Sequence, residues 1–164
     1  MINPMILKTF RETPYNLQFI FVGKYFKFQQ KLTVAPVTRV NIEIKTGATQ
    51  IVHFLERNVR IISSVSTVSV GYELYENSTT TTVASYPIFN VDRTSSNVST
   101  VSIATCTFTA IGNNLEAYVI RNGQAHQRSK ELILKPSTTY MISFVTAAST
   151  AQIDINYIWY ESDN

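Results

Sequence analysis

The feature that most constrains the fold of this chain is a two-residue period of apolar side chains that recurs along most of its length. The clearest example is IDINYIWY, in which Ile153, Ile155, Tyr157 and Trp159 share one face. The same period occurs in RVNIEIK, VSVGYELYE and TYMISFVT. A period of two is that of a β-strand with one buried and one solvated face. The sequence therefore predicts antiparallel sheets that pack on one side only.

Turn-forming residues separate these alternating stretches. They include Thr46-Gly47, Asn77-Ser78, Gly112-Asn113, Asn122-Gly123 and Pro136-Ser137. Asn-Gly is the strongest hairpin signal of the set, and here it predicts a type I′ turn. About eight to ten short strands separated by such turns indicate an all-β fold, an antiparallel β-sandwich of the jelly-roll type.

The stretch QIVHFLERNVRII, residues 50–62, does not keep a single period. Ile51, Phe54, Leu55 and Ile62 could line one face of a helix. The alternative is two short strands. We favour the two strands, because no other part of the chain has a helical period over ten or more residues.

The N-terminal part of the chain differs from the rest. We expect residues 1–35 to form an arm or edge segment and residues 36–164 to form the sandwich domain. LQFIFVGKYFKF, residues 17–28, is aromatic on both faces, and nine basic residues but only three acidic ones lie within residues 1–60. The segment is either a strand buried between two layers or a surface that docks on another subunit. Lys24, Tyr25, Phe26 and Lys27 are its interface candidates.

Residues that could carry chemistry are few and scattered. His53 is in phase with apolar neighbours, which is typical of a core histidine, and Cys106 has the pattern of a small buried residue. The usual zinc-ligand spacings, phosphate-binding loops and nucleophile motifs do not occur. We therefore expect no enzyme activity, no catalytic residues, no metal and no cofactor. Basic and aromatic residues are interspersed in KYFKF, as in proteins that bind single-stranded nucleic acid, but nucleic-acid binding is not favoured.

The sequence also indicates where the protein is made. It contains one cysteine, it has no evident signal peptide at its N-terminus, and no apolar run approaches the ~20 residues that span a bilayer. We expect synthesis in a reducing compartment, the cytoplasm of a host cell, and no association with membranes.

Four stretches occur in a recognisable order: GYELYE (71–76), FNVDRTSS (89–96), ELILKPSTTYMI (131–142) and INYIWYE (155–161). In this order they resemble a group of small virion proteins of tailed bacteriophages, which are associated with the capsid as decoration or head-fibre components. The resemblance covers roughly residues 40–161. A tryptophan is common in the group where this chain has Leu132, and the loop before it is often richer in glycine than RNGQAHQRSK.

The resemblance implies a β-sandwich subunit that self-associates, with a trimer favoured, and attaches to the capsid surface. Its partners would be the major capsid protein or other virion proteins. Arg93 is the one conspicuous position that the resemblance adds. Its guanidinium either ties a loop to carbonyl groups or a nearby acid, or crosses a subunit interface.

The leading interpretation is thus a non-enzymatic structural protein of a phage virion. The alternative is a carbohydrate- or receptor-binding module of a phage fibre. In that case an exposed tyrosine, such as Tyr75, Tyr118 or Tyr160, would stack against a sugar ring.

Overall fold

The computed structural model describes residues 24–63, 67–128, 130–147 and 149–163, which form strands and connecting turns without a helix. The strands are β1 (Tyr25–Val34), β2 (Arg39–Lys45), β3 (Gln50–Ile62), β4 (Ser69–Glu76), β5 (Thr79–Ser85), β6 (Phe89–Asn90), β7 (Ser102–Ala110), β8 (Asn113–Arg121), β9 (Ala125–Arg128), β10 (Leu132–Leu134), β11 (Thr139–Thr146) and β12 (Ala151–Asp163).

The strands form two antiparallel sheets that pack face to face. Sheet A has the order β10-β3-β12-β1-β6, with β9 also paired to β3, and sheet B has the order β5-β7-β2-β11-β4-β8. Within them, β1-β12-β3-β9 and β2-β11-β4-β8 have the strand order of the two facing sheets of a jelly roll. The predicted antiparallel sandwich is confirmed.

The last strand lies in the middle of sheet A. β12 pairs with β1 on one side and with β3 on the other. Its inward face carries the predicted residues Ile153, Ile155, Tyr157 and Trp159, all of them buried. Trp159 packs between Phe26 of β1 and Phe54 of β3, with ring centroids 6.0 and 5.3 Å away. The alternation at the end of the chain is therefore the pattern of a central core strand.

The first described strand is part of the sandwich. β1 pairs with β12 over its whole length and places Phe26 and Phe28 in the core. Residues 25–34, which the sequence analysis assigned to an N-terminal arm or edge segment, thus lie between β12 and the two-residue strand β6. Residues 1–23 of that segment lie outside the described residues.

The stretch 50–62 is one strand, so both the helix and the two short strands expected there are wrong. Ile158 of β12 is opposite Glu56 and Trp159 is opposite Phe54, so Leu55 is an extra residue in β3. This β-bulge shifts the inward phase by one residue, from Val52 and Phe54 to Arg57 and Val59. The bulge is the reason why the apolar residues of this stretch do not keep a single two-residue period. Its consequence is that a charged side chain, Arg57, points into the core.

The turn at Asn122-Gly123 is present, but it is not a type I′ hairpin. It joins β8 of sheet B to β9 of sheet A, and these strands do not pair with each other. Gln124 donates its backbone N–H to the carbonyl of Arg121 at 3.0 Å. Gly123 has φ +76° whereas Asn122 does not have a positive φ, which is the pattern of a type II turn.

Sheet B also buries a carboxylate on its outer face. Glu43 of β2 accepts hydrogen bonds from the Thr80 hydroxyl at 2.6 Å, from the Thr82 hydroxyl, and from the Lys45 ammonium at 3.0 Å. Burial raises the pKa of Glu43, but these hydrogen bonds and the Lys45 charge lower it by more, so the net pKa is below 4.5. The ionised form is thus favoured by the fold.

We expect Glu43 to make the protein acid-sensitive. A carboxylate whose folded pKa is depressed contributes stability above its unfolded pKa and loses it as the pH falls through the folded value. The Glu43→Gln variant should be less stable than wild type at pH ~7, and the difference should shrink below about pH 4. Urea unfolding of both proteins at neutral and acid pH measures this. A difference that does not change with pH would contradict it.

Candidate docking surface

The structure contains a segment that the jelly roll does not need. Residues 77–112 leave sheet B after β4, form β5, β6 and β7, and return at β8. The two ends of the segment meet, because the Ser78 hydroxyl donates to the carbonyl of Ile111. Gly112, with φ +85°, lies so close that a Cβ would be 2.2 Å from the carbonyl oxygen of Glu76. The inserted segment adds β6 beside β1 in sheet A, and β7 and β5 beside β2 in sheet B.

The loop after β6 is held by its own polar side chains. The Asn90 side chain accepts the N–H of Asp92 at 2.9 Å and donates to the carbonyl of Asn97 at 3.1 Å. Asp92 accepts the N–H of Thr94 at 2.9 Å and its hydroxyl at 2.7 Å, and these bonds lower the pKa of Asp92. Asp92 is therefore the centre of an Asx turn.

The far end of the loop is fixed to the last strand. Glu161 is buried, and its carboxylate accepts hydrogen bonds from the Ser99 hydroxyl, from the Thr100 N–H at 3.0 Å and from the Thr100 hydroxyl at 2.7 Å. The Trp159 indole N–H donates to the same carboxylate at 3.2 Å. At the other end, Val91 donates its N–H to the carbonyl of Tyr25 at 2.8 Å. The loop is thus connected at both ends to the core of sheet A.

Arg93 lies in this fixed loop and points to solvent. Its side chain is exposed and forms no hydrogen bond or ion pair with any residue that the structure describes. The first of the two roles considered for Arg93, a tie to loop carbonyls or to an acid, is not observed. The guanidinium, with its five donors, is presented to the surroundings of the protein.

Apolar side chains surround the same loop. Phe89 is 55% exposed, Val98 is 85% exposed and Val91 is 39% exposed. Beside them, an open cleft of about 260 Å³ runs between the two sheets, with Val98 on its rim and Phe26, Tyr86, Ile88, Val101 and Ile103 in its walls. We call Phe89, Val91, Arg93 and Val98 the docking surface. Exposed apolar residues around an arginine are the composition typical of protein interfaces.

The other interface candidates lie at the start of β1. Lys24 forms an ion pair with Asp163 at 2.8 Å. Tyr25 is half-buried, and burial, assisted by the charge of Glu56, raises its pKa. Lys27 is half-buried on the outer face of sheet A. Phe26 is only 2% exposed and packs on Trp159, because strand alternation turns it inward. Its side chain is therefore a core side chain.

The short motifs of the phage resemblance have structural roles here. Glu76 ends GYELYE, and Lys135 and Tyr140 belong to ELILKPSTTYMI. The Lys135 ammonium lies 2.9 Å from Glu76, and the Tyr140 hydroxyl donates to Glu76 at 3.1 Å while it accepts the Lys135 N–H at 2.9 Å. These contacts join the end of β4 to the turn between β10 and β11. Glu161, which ends INYIWYE, fixes the loop that carries Arg93.

One cluster contains a carboxylate, an imidazole and a hydroxyl in the order in which enzymes use these groups for acyl transfer. His53 lies on the outer face of sheet A and not in the core, and its ring stacks on Tyr160 with centroids 4.3 Å apart. Its Nδ1 is 2.7 Å from the Glu131 carboxylate and its Nε2 is 3.0 Å from the Ser162 hydroxyl. Such chemistry also needs a substrate cleft and donors for an oxyanion. The open cleft beside Val98 is lined by other residues.

Other kinds of site find little support in the described part of the chain. It contains no group of three His, Cys, Asp or Glu side chains that could hold a metal ion. Burial raises the pKa of Cys106 to about 11, so the thiol is not activated. No helix that could cross a membrane is present in it.

The tyrosines considered for sugar binding are not open to a ligand. Tyr75 and Tyr160 are buried. Tyr118 stacks on Tyr72 at 4.4 Å and on His126 at 3.6 Å, so both faces of its ring are covered.

Comparisons with known proteins give remote likenesses among solved structures. No protein-family model matches the chain, and no curated protein matches it. Among solved structures, a chain of the infectious bursal disease virus Gt strain is similar at 14% identity, with a TM-score of 0.30. The match covers 84% of this chain and 29% of the viral one, so this chain spans less than a third of its length. A likeness this remote carries no argument about function.

Proposed function

We propose that the protein is a non-enzymatic structural component of a tailed-phage virion, a decoration or head-fibre subunit that attaches to the capsid surface. Its docking surface would contact the major capsid protein or another virion protein. The observation that carries the proposal is Arg93, exposed and unpaired among the described residues, in a loop fixed at both ends. The resemblance of the four sequence motifs to such virion proteins supports the virion context.

The loop geometry favours binding because the backbone of the loop is already ordered before a partner binds. Immobilising a long side chain or a mobile loop costs free energy that reduces affinity. Here the backbone around Arg93 is already held by Asp92 and Asn90. Only the Arg93 side chain would lose freedom, while Phe89 and Val98 would bury apolar area against the partner.

We expect the docking surface to be needed for capsid attachment. Arg93→Ala and Val98→Asp should each weaken binding to purified empty capsid shells by about tenfold or more, as for central interface residues. Co-sedimentation of the labelled protein with shells measures this. Val37→Asp is the matched control, since Val37 is 82% exposed in the turn between β1 and β2, outside the docking surface.

Two outcomes would contradict the proposal. Wild-type protein that never sediments with shells would contradict the capsid as the partner. Sedimentation that Val37→Asp weakens as much as Arg93→Ala would contradict the location of the surface.

The N-terminal segment is a separate contributor to test. We propose that residues 1–23 add capsid contacts, because the segment is rich in aromatic residues, which are enriched at interfaces. The deletion must stop at residue 23, since residues 25–34 form β1 and their loss would remove a core strand. A deletion of residues 1–23 that folds normally and binds shells as well as wild type would show that the segment has no part in attachment.

A further inference from the structure

Sheet B ends on an edge strand, β8, that lacks most of the devices by which proteins prevent strand pairing. An open edge presents unpaired backbone N–H and C=O groups, and natural proteins protect it with short strands, bulges, prolines or outward-facing charges. β8 pairs with β4 on one side, and no described strand covers its other side. It runs for nine residues and contains no proline and no lysine.

The other edges of the described structure are protected. β6 has two residues, β10 has three and β9 has four. β5 is longer, but its pairing with β7 is interrupted twice, between Thr79 and Thr80 and between Thr82 and Ala84. The part of β1 that β6 leaves uncovered carries Lys31, which is exposed. Each of these edges therefore discourages a further strand.

The outer side of the regular part of β8 is apolar except at its last residue, Arg121. A bulge at Leu115 affects only its start, and pairing with β4 is regular from Glu116 to Arg121. Glu116 is not available as a protective charge, because both of its oxygens bind Arg57 inside the sandwich. The residues that point outward are Ala117, Val119 and, at the end of the strand, Arg121; Val119 is 64% exposed. Beside Val119 lies an open hollow of about 360 Å³ lined by Ile120, Gln124, Ala125 and His126.

We propose that β8 is an assembly edge, which pairs antiparallel with β8 of a second copy about a two-fold axis. An antiparallel edge is complementary to itself, since a two-fold rotation places each N–H opposite a C=O. With the axis at Val119, the two Val119 side chains face each other and Ala117 faces Arg121 of the second copy. Like charges do not meet in this register. The pairing joins the two B sheets into one continuous sheet and leaves the docking surface of each copy free.

The test measures the mass of the full chain in solution and the hydrogen exchange of its backbone amides, both as a function of protein concentration. We expect light scattering to show two copies, and hydrogen exchange to show that the amides of β8 become more protected as the dimer forms. Val119→Lys should raise the dissociation constant by about tenfold or more, because like charges directly opposite across strands are destabilising. Val119→Thr, which keeps a β-branched side chain, should dimerise like wild type.

A matched control variant and three possible outcomes test whether β8 is the assembly edge. Val83→Lys places the same charge on the β5 edge, where Val83 is 66% exposed, and should leave the mass unchanged. A chain that stays monomeric, a mass of three copies, or a dimer that Val119→Lys does not weaken would each overturn the inference. Because the test uses no capsid, its failure is separate from failure of the proposed attachment. Far-UV circular dichroism confirms that each variant folds.

Discussion

Truncation of Trp159 to alanine is expected to lower the free energy of unfolding by about 3–5 kcal/mol, a large part of the ~5–15 kcal/mol typical of a domain. The side chain is completely buried and lies between Phe26 and Phe54. Its removal leaves a cavity at the centre of sheet A, where three strands meet. It also removes the indole donor of Glu161, which holds the loop that carries Arg93.

Two further variants separate these contributions in urea unfolding. Trp159→Phe keeps most of the packing but not the hydrogen bond, so its loss should be smaller than that of Trp159→Ala. Ile158→Ala removes the neighbouring side chain, which faces outward and is half-buried, and should cost about 1 kcal/mol. Equal losses for Ile158→Ala and Trp159→Ala would contradict the central position of β12 in the core.

Removal of Glu116 is expected to have the second-largest effect, about 3 kcal/mol, because it leaves the charge of Arg57 buried without a partner. The Arg57 guanidinium donates to the two oxygens of Glu116 at 2.7 and 3.1 Å, and the two side chains are 7% and 20% exposed. Burial lowers the pKa of Arg57, but its hydrogen bonds to Glu116 and the nearby negative charge outweigh burial and raise it. The charge stays when Glu116 is lost, because an arginine guanidinium is not deprotonated in proteins.

The double variant Arg57→Met with Glu116→Leu shows why removal of Glu116 lowers stability. The cause is either the unpaired buried charge of Arg57 or the loss of an ion pair that stabilises the fold. We expect the double variant to lie within about 1 kcal/mol of wild type, since an apolar replacement of a buried ion pair is often neutral. Glu73→Ala is the control, because Glu73 binds Arg39 at 2.7 Å with both side chains about one-third exposed, and its loss should cost at most ~1 kcal/mol. A small effect of Glu116→Ala in denaturant unfolding would contradict the buried ion pair.

Local pattern was sufficient to identify the inward residues of several strands. Ile42 and Ile44, Tyr72 and Leu74, and Ile142 and Phe144 are buried as their alternation predicted. The reason is that a strand's period depends only on its own backbone, so the buried face is readable wherever the strand is regular. The same reading failed in β3, where the bulge at Leu55 changes the phase. Neither Arg57 nor its partner Glu116 was identified, because they meet across the two sheets.

The docking surface was only partly predictable. Arg93 was singled out by the resemblance, whereas Phe89, Val91 and Val98 look like ordinary strand residues in the sequence. Their exposure depends on how residues 77–112 fold against β1, which is a long-range property. Of the N-terminal candidates, Phe26 proved to be a core residue, since β1 pairs with the last strand of the chain. An aromatic segment that is apolar on both faces does not by itself show which of its rings are covered.

The sequence by itself determined that this protein is an antiparallel β-sandwich, because side-chain alternation, β-branched composition and turn residues all act within a few neighbouring positions. It also determined which face of most strands is buried. Only the tertiary structure decided that β12 is central, that Arg57 points inward, that Arg93 is left exposed and that β8 is an edge strand of the described part of sheet B. These features arise from pairings between strands far apart in the chain, and backbone hydrogen bonds, which form such pairings, are the same for every residue type except proline.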